Sequence, residues 1–196
     1  MGVVEEAVAA LRAGRPVVLS TDTVYGLCAD PDSEAACRRA FALKGRPEGR
    51  PAALVCADVE MLLDRVPELP SAVVRTLLPG AYTLVFANPA RRYRWLSENT
   101  IGVRVPHLSG PGGEVLVAVG AVMATSANLH GRPDPRRLDD VPEEIRSGCA
   151  VLVDGGELPG TPSTVLDLTG EEPRILREGV VPAAEALARA AAVMRA

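Results

Sequence analysis

Only one of the 196 residues is lysine, two are histidine and six are aromatic. Few rings and a formal net charge of −4 argue against a protein whose main role is sequence-independent RNA binding. The four cysteines, Cys28, Cys37, Cys56 and Cys149, form no CxxC and no Cys/His pairing at metal-ligand spacing. A chain of this size needs no disulfide staples, so they read as buried free thiols rather than as a metal cluster or a nucleophile. The two histidines stand in no evident relation to a serine or cysteine, which leaves a hydrolase triad weakly supported. Neither GxxxxGK[ST] nor GxGxxG occurs, so the chain is neither an ordinary P-loop NTPase nor a dinucleotide-binding Rossmann protein. No apolar run approaches the roughly 18–20 residues that span a bilayer. The start, MGVVEEAVAALRAGR, has two glutamates where a signal peptide wants early positive charge, and a cytoplasmic protein is expected.

What is present is ordinary for a globular domain: 47% hydrophobic and 23% charged residues. A chain of this length buries about 70% of its unfolded surface around one core. Short apolar strands alternate with amphipathic helices, with no repeat and no linker long enough to divide two domains. Helices are expected to about residue 14, from 32 or 33 to 43, over 58–65, 71–78 and 138–147, and from about 182. Strands are expected over 16–20, 52–56, 82–87, 101–105, 121–125, 150–154, 163–168 and 174–177, while 113–119 reads equally as helix or strand. The last three strands are joined by connections too short for helical crossovers, which predicts a mixed sheet in a single α/β domain spanning 1–196.

Polar clusters stand at the ends of these strands, where α/β sheets place ligands. Ser20-Thr-Asp-Thr-Val-Tyr-Gly26 fits either a capped turn or hydroxyls that hold a small polar substrate. Lys44-Gly-Arg-Pro-Glu-Gly-Arg50 has three cations within seven residues and suits a phosphate, or equally a solvated loop at a helix C-terminus. Of the 21 basic residues, 20 are arginine, so the surviving Lys44 either marks a place where a flat guanidinium fork does not serve or falls there by chance. Ser126-Ala-Asn-Leu-His-Gly131 and Thr161-Pro-Ser-Thr-Val-Leu-Asp167 are further candidates. Arg104 and Arg177, set among strand apolars, either face solvent or pair with an anion.

In this order the clusters resemble the YrdC family, also called TsaC, the threonylcarbamoyl-AMP synthases of tRNA modification. The resemblance rests on STDTVYGLCA (20–29), KGRPEGRP (44–51), LPGAYTLV (78–85), NTIGVRVP (99–106), TSANLHG (125–131), PSTVLDL (162–168) and ILREG (175–179). It implies a twisted α/β sheet with a concave basic cavity for ATP, L-threonine and bicarbonate. The family's Lys-x-Arg falls on Lys44 and Arg46, implied as catalytic. Threonine and bicarbonate would meet Thr23, Arg104, Ser126 and Ser163. ATP would meet Lys44, Arg46, Thr100, Asn128 and Arg177, with Arg50 and Arg136 as further contacts. Mg²⁺ would accompany the triphosphate, with no protein ligand identified. tRNA and the enzymes that transfer the threonylcarbamoyl group would be pathway partners. Two alternatives stay open: a YciO-like paralogue with another acceptor, and a non-catalytic protein that binds double-stranded RNA or tRNA.

Overall fold

A computed structural model describes residues 2–45, 51–129 and 131–195. Helix α1 (Val3–Arg12) buries Ala7, Ala10 and Leu11, one stripe at helical spacing. It ends at Gly14, whose φ of 68° is the left-handed turn that glycine adopts without strain. Strands β1 (Val17–Leu19) and β2 (Gly26–Ala29) pair antiparallel across the hydroxyl-rich turn. The sequence reading had no strand at β2, because its small residues follow directly on a segment that reads as a turn. Helix α2 (Glu34–Leu43) is capped by Ser33, whose side chain accepts the Ala36 N–H, and ends at Lys44.

After β3 (Ala53–Cys56) come α3 (Val59–Arg65), capped by Asp58, and α4 (Ser71–Leu77). Strand β4 (Tyr82–Ala87) has the expected bounds, and β5 (Thr100–Arg104) lies one residue earlier than expected. The undecided stretch is helical: α5 (Gly110–Val119) starts after Ser109 with a proline in its first turn. Strand β6 (Ala121–Ser126) follows. The helix expected over 138–147 divides into a 3₁₀ turn at Leu138–Asp140 and α6 (Glu143–Gly148), because Pro142 stands at the N-cap of the second piece. Strands β7 (Val151–Val153), β8 (Thr164–Asp167) and β9 (Arg174–Arg177) precede α7 (Ala183–Met194).

The nine strands of the described residues join in one mixed sheet of order β7-β1-β2-β6-β3-β5-β4-β8-β9. The alternation of strand side chains divides the core in two. On one face Leu27, Leu54, Leu84, Val103, Met123 and Leu166 pack against α2, α3, α4, α6 and α7. On the other, Val17, Leu19, Cys28, Val55 and Val122 pack under α1 and α5. These two helices cover only the β7 side of that face, so among the described residues β4, β5 and β8 carry no helix there.

Connectivity adds cover to that face. β7 and β8 stand seven strand spacings apart, about 34 Å measured along the sheet. The connecting residues 154–163 reach only about 33–36 Å when fully extended. They are not extended: Leu158 N–H bonds to Arg136 O, Gly160 N–H bonds to Thr23 O, and Gly156 and Gly160 take left-handed turns. The connection is therefore folded against the 20–24 turn and the segment at Arg136, and its end at Pro162 and Ser163 lines the cavity described below. Among the described residues no helix is long and apolar enough to cross a membrane.

Candidate active site

The face covered in part by α1 and α5 holds a cavity of about 620 Å³, a volume that suits a small-molecule ligand. Its floor follows from the two-residue period. Thr83 and Val85 of β4, Thr100, Gly102 and Arg104 of β5, and Val165 and Asp167 of β8 face it, while their neighbours in sequence are buried on the opposite side. One wall is the 20–24 turn, and another is the start of α5.

The turn supplies the first polar group. Thr21 Oγ1 accepts the Thr23 and Val24 N–H groups at 3.2 and 3.3 Å, a side-chain-stabilised turn that buries Thr23. Arg104 donates from Nη2 to Thr23 Oγ1 at 3.1 Å and to the Asp22 carboxylate. Burial lowers the Arg104 guanidinium below its usual value; Asp22 opposes that shift and nearby Arg177 adds to it.

The second group lies where β8 begins. Ser163 is buried and its hydroxyl pairs with Thr83 Oγ1 at 2.8 Å. Arg177 donates to Ser163 O at 2.9 Å from the edge strand β9, and partial burial lowers its guanidinium too. Thr100 closes the far end of β5 and shares a 2.8 Å hydroxyl contact with Ser97.

The third group is the turn after β6. Ser126 lines the cavity, and its hydroxyl donates to Asn128 Oδ1 at 2.7 Å. Lys44, only 5% exposed, reaches across from the end of α2. Its ammonium donates to Ser126 O at 2.5 Å, to Asn128 O at 2.9 Å and to Asn128 Oδ1. Lys44 and Asn128 therefore stand behind the cavity wall and hold Ser126 in it.

Thr23, Thr100, Arg104, Ser126, Ser163 and Arg177 thus share one cavity. Arg136 does not line it; that side chain is on the outer surface, paired with Glu157 at 3.0 Å. Arg46 and Arg50 lie outside the described residues. Sequence reasoning passed over Asp22, which holds Arg104, and Thr83, which pairs with Ser163. The signal for Thr83 was its place two residues from Val85 on a strand whose other face is wholly apolar.

Charge in the cavity is mixed among the described residues, with Arg104 and Arg177 set against Asp22 and Asp167. Both carboxylates are engaged: Asp22 by Arg104 and the His107 N–H, Asp167 by Thr169 and Arg174. Among the described residues no group of three or more His, Cys, Asp or Glu side chains is placed to hold a metal.

The Sua5_yciO_yrdC family model, described as telomere recombination, matches residues 9–179. A threonylcarbamoyl-AMP synthase of Pyrococcus abyssi is 33% identical over 181 residues, covering 89% of this chain and 53% of the relative. A putative threonylcarbamoyl-AMP synthase of Mycobacterium tuberculosis is 34% identical over 182 residues, covering 89% of this chain and 83% of the relative. The crystal structure of P. abyssi Sua5 complexed with L-threonine superposes with a TM-score of 0.84 at 32% identity, covering 95% of this chain and 56% of that one. The chain thus spans about half the length of the archaeal relative and most of the mycobacterial one. Sequence match and superposition extend over the strands that build the cavity, and the chain belongs to the Sua5/YciO/YrdC family.

Proposed function

We propose that the chain is a threonylcarbamoyl-AMP synthase, a nucleotidyltransferase converting ATP, L-threonine and bicarbonate into threonylcarbamoyl-AMP, pyrophosphate and water. The observation that carries this reading is that two partly desolvated guanidinium groups, Arg104 and Arg177, share one cavity with the hydroxyls of Thr23, Ser163, Ser126 and Thr100. Arginine forks suit carboxylate and phosphate oxygens, and both act more strongly where water is excluded.

In this reading Arg104, Thr23, Ser126 and Ser163 hold the threonine carboxylate and hydroxyl. Thr100, Arg177, Asn128 and Lys44 hold ATP, and Arg46 adds charge at the triphosphate. The neutral threonine amine takes up bicarbonate as a carbamate, with loss of water. A carbamate oxygen then attacks the α-phosphorus, and the bond to the β-phosphate oxygen breaks to release pyrophosphate. Alignment of two anions is the demanding part, and held reactants gain up to roughly 7–11 kcal/mol from positioning. Lys44 would relieve the repulsion between carboxylate and phosphate by moving one donor from the turn. Mg²⁺ would accompany ATP and screen the charge of its phosphates. The product is a mixed anhydride, so a group-transfer reaction onto a nucleophilic acceptor must consume it, in this reading on tRNA.

Pyrophosphate release from ATP and Mg²⁺ tests this, with L-threonine and bicarbonate each omitted in turn. Release that needs both is expected. Release indifferent to threonine would replace the acceptor, as in a YciO-like paralogue. Absence of release from folded protein that binds ATP would overturn the synthase reading in favour of a binding role.

A further inference from the structure

Gly102 sits at the centre of β5, on the cavity face between Thr100 and Arg104. A mid-strand glycine has no side chain to pack and gives up more backbone entropy than alanine, so a strand keeps one for a reason of space or backbone conformation. Neither reason operates inside the protein here. A Cβ on Gly102 would meet Ala52 O at 3.7 Å, Thr83 Cγ2 at 3.8 Å and Ala53 Cα at 3.9 Å, which is ordinary contact, and its φ is not left-handed. Gly26, also on the cavity, is alike, with its nearest atoms at 3.5 Å, whereas two other glycines differ. A Cβ on Gly112 would fall 1.9 Å from Ser20 O, and one on Gly179 would fall 2.1 Å from Pro162 O. Those glycines are fixed by packing, whereas the space above Gly102 is left open for what enters the cavity.

Spacing indicates what passes there. Strand residues two apart lie about 6.6–6.8 Å from one another, so Gly102 is midway between the Thr100 and Arg104 positions. The proposed function gives Thr100 to the nucleotide and Arg104 to the amino acid, and the present inference rests on that reading. We propose that Gly102 sets the approach of the two substrates: its bare backbone is the floor over which the carbamate carboxyl and the α-phosphate come together, and a methyl group there would hold them apart. The reacting oxygen and phosphorus must approach closely, so a displacement of about 1 Å suffices to suppress the step.

The experiment is Gly102→Ala in the full chain, beside wild type, with three measurements. The unfolding temperature should stay level or rise, since alanine has room and favours the extended strand less reluctantly than glycine. L-Threonine and ATP, each titrated alone by calorimetry, should bind within about threefold of wild type, while pyrophosphate release with all substrates should fall about tenfold or more. A smaller fall in release overturns the inference. So does a lower unfolding temperature, which would make the glycine a structural requirement, or a larger loss of either single affinity, which would put Gly102 inside one subsite rather than between two. Gly112→Ala provides the contrast and should lower the unfolding temperature. Wild type that releases no pyrophosphate in response to threonine and bicarbonate would sink the function and this inference together. An active wild type with an equally active Gly102→Ala sinks the inference alone.

Discussion

Asp22 holds Arg104 with one carboxylate oxygen and the His107 N–H, at 3.2 Å, with the other. Both side chains are nearly out of water, at 11% and 12% exposure for Arg104 and Asp22. Within the described residues Arg104 Nε is buried without a hydrogen-bond partner, so the guanidinium is anchored along one edge and unsatisfied at another. Asp22 is thereby a positioning residue that also ties down the approach to α5. Asp22→Asn keeps the shape and removes the charge. It is expected to cost about 1.5–3 kcal/mol of stability, as for a hydrogen bond to a charged group. Kinetically, KM for L-threonine should rise more than KM for ATP. Equal changes in both would show that Asp22 acts on the fold as a whole rather than on the amino-acid subsite.

Lys44 makes a prediction of its own. Its ammonium engages the carbonyls of Ser126 and Asn128 and the Asn128 side chain, three acceptors clustered around one turn. A tetrahedral ammonium fits such a cluster, whereas a flat guanidinium with fixed donor directions and greater bulk does not. Lys44→Arg should therefore displace Ser126 from the cavity wall and lower pyrophosphate release by about a hundredfold. Near-normal turnover in that variant would show that any cation serves at this position.

The pair of hydroxyls at Thr83 and Ser163 supports a finer test. With Thr83 Oγ1 at 2.8 Å, the Ser163 hydroxyl is held in one orientation at the cavity floor. Thr83→Val is nearly isosteric and leaves Ser163 without that partner, a net loss of about 0.5–1.5 kcal/mol for a neutral hydrogen bond. KM for L-threonine should rise about two- to tenfold with little change in kcat, and Thr83→Ser should restore it. Failure of serine to rescue would assign the effect to packing against the cavity floor.

The sequence carried most of the sheet because strand signals are local. β4 and β9 lie on the segments 82–87 and 174–177 that the residues marked. β2 was missed because Gly26-Leu-Cys-Ala29 is short, has no β-branched residue and follows a turn motif; it is a strand because β1 and β6 pair with it on either side. α5 was undecided because Val115, Leu116, Val117 and Val119 suit either structure, and its packing on α1 selects the helix. Motifs carried much of the site for a different reason: Thr23, Arg104, Ser126 and Ser163 fall within short runs that can be recognised singly. Asp22 and Gly102 lie within the same runs, yet their roles depend on which strand face meets the cavity and on the free space beside it. Spatial neighbours such as Tyr25 and Asp154, 129 residues apart, have no local signal at all.

That last pair bears on alkaline stability. The buried Tyr25 O–H lies 2.7 Å from Asp154 Oδ1 and 2.8 Å from Gly156 O, and its oxygen accepts the Gly155 N–H at 3.1 Å. Burial, with the hydrogen bond to Asp154 adding to it, pushes the phenol up from 10.0 to about 12. Burial likewise pushes the Cys37, Cys56 and Cys149 thiols from 9.0 up to about 12, and Cys28 higher still. The folded chain therefore keeps these protons to a higher pH than the unfolded chain does, and unfolding between those values releases them. Stability from these groups is full below about pH 9 and declines as pH rises towards 12. Urea unfolding in reducing buffer at pH 8, 9, 10 and 11 should show a falling midpoint, and a constant one would overturn the assignment. Tyr25→Phe should lower stability at pH 8 by about 1–2 kcal/mol and make the decline above pH 10 shallower, because one of the titrating groups is gone. A decline equally steep in that variant would leave the thiols as its sole origin.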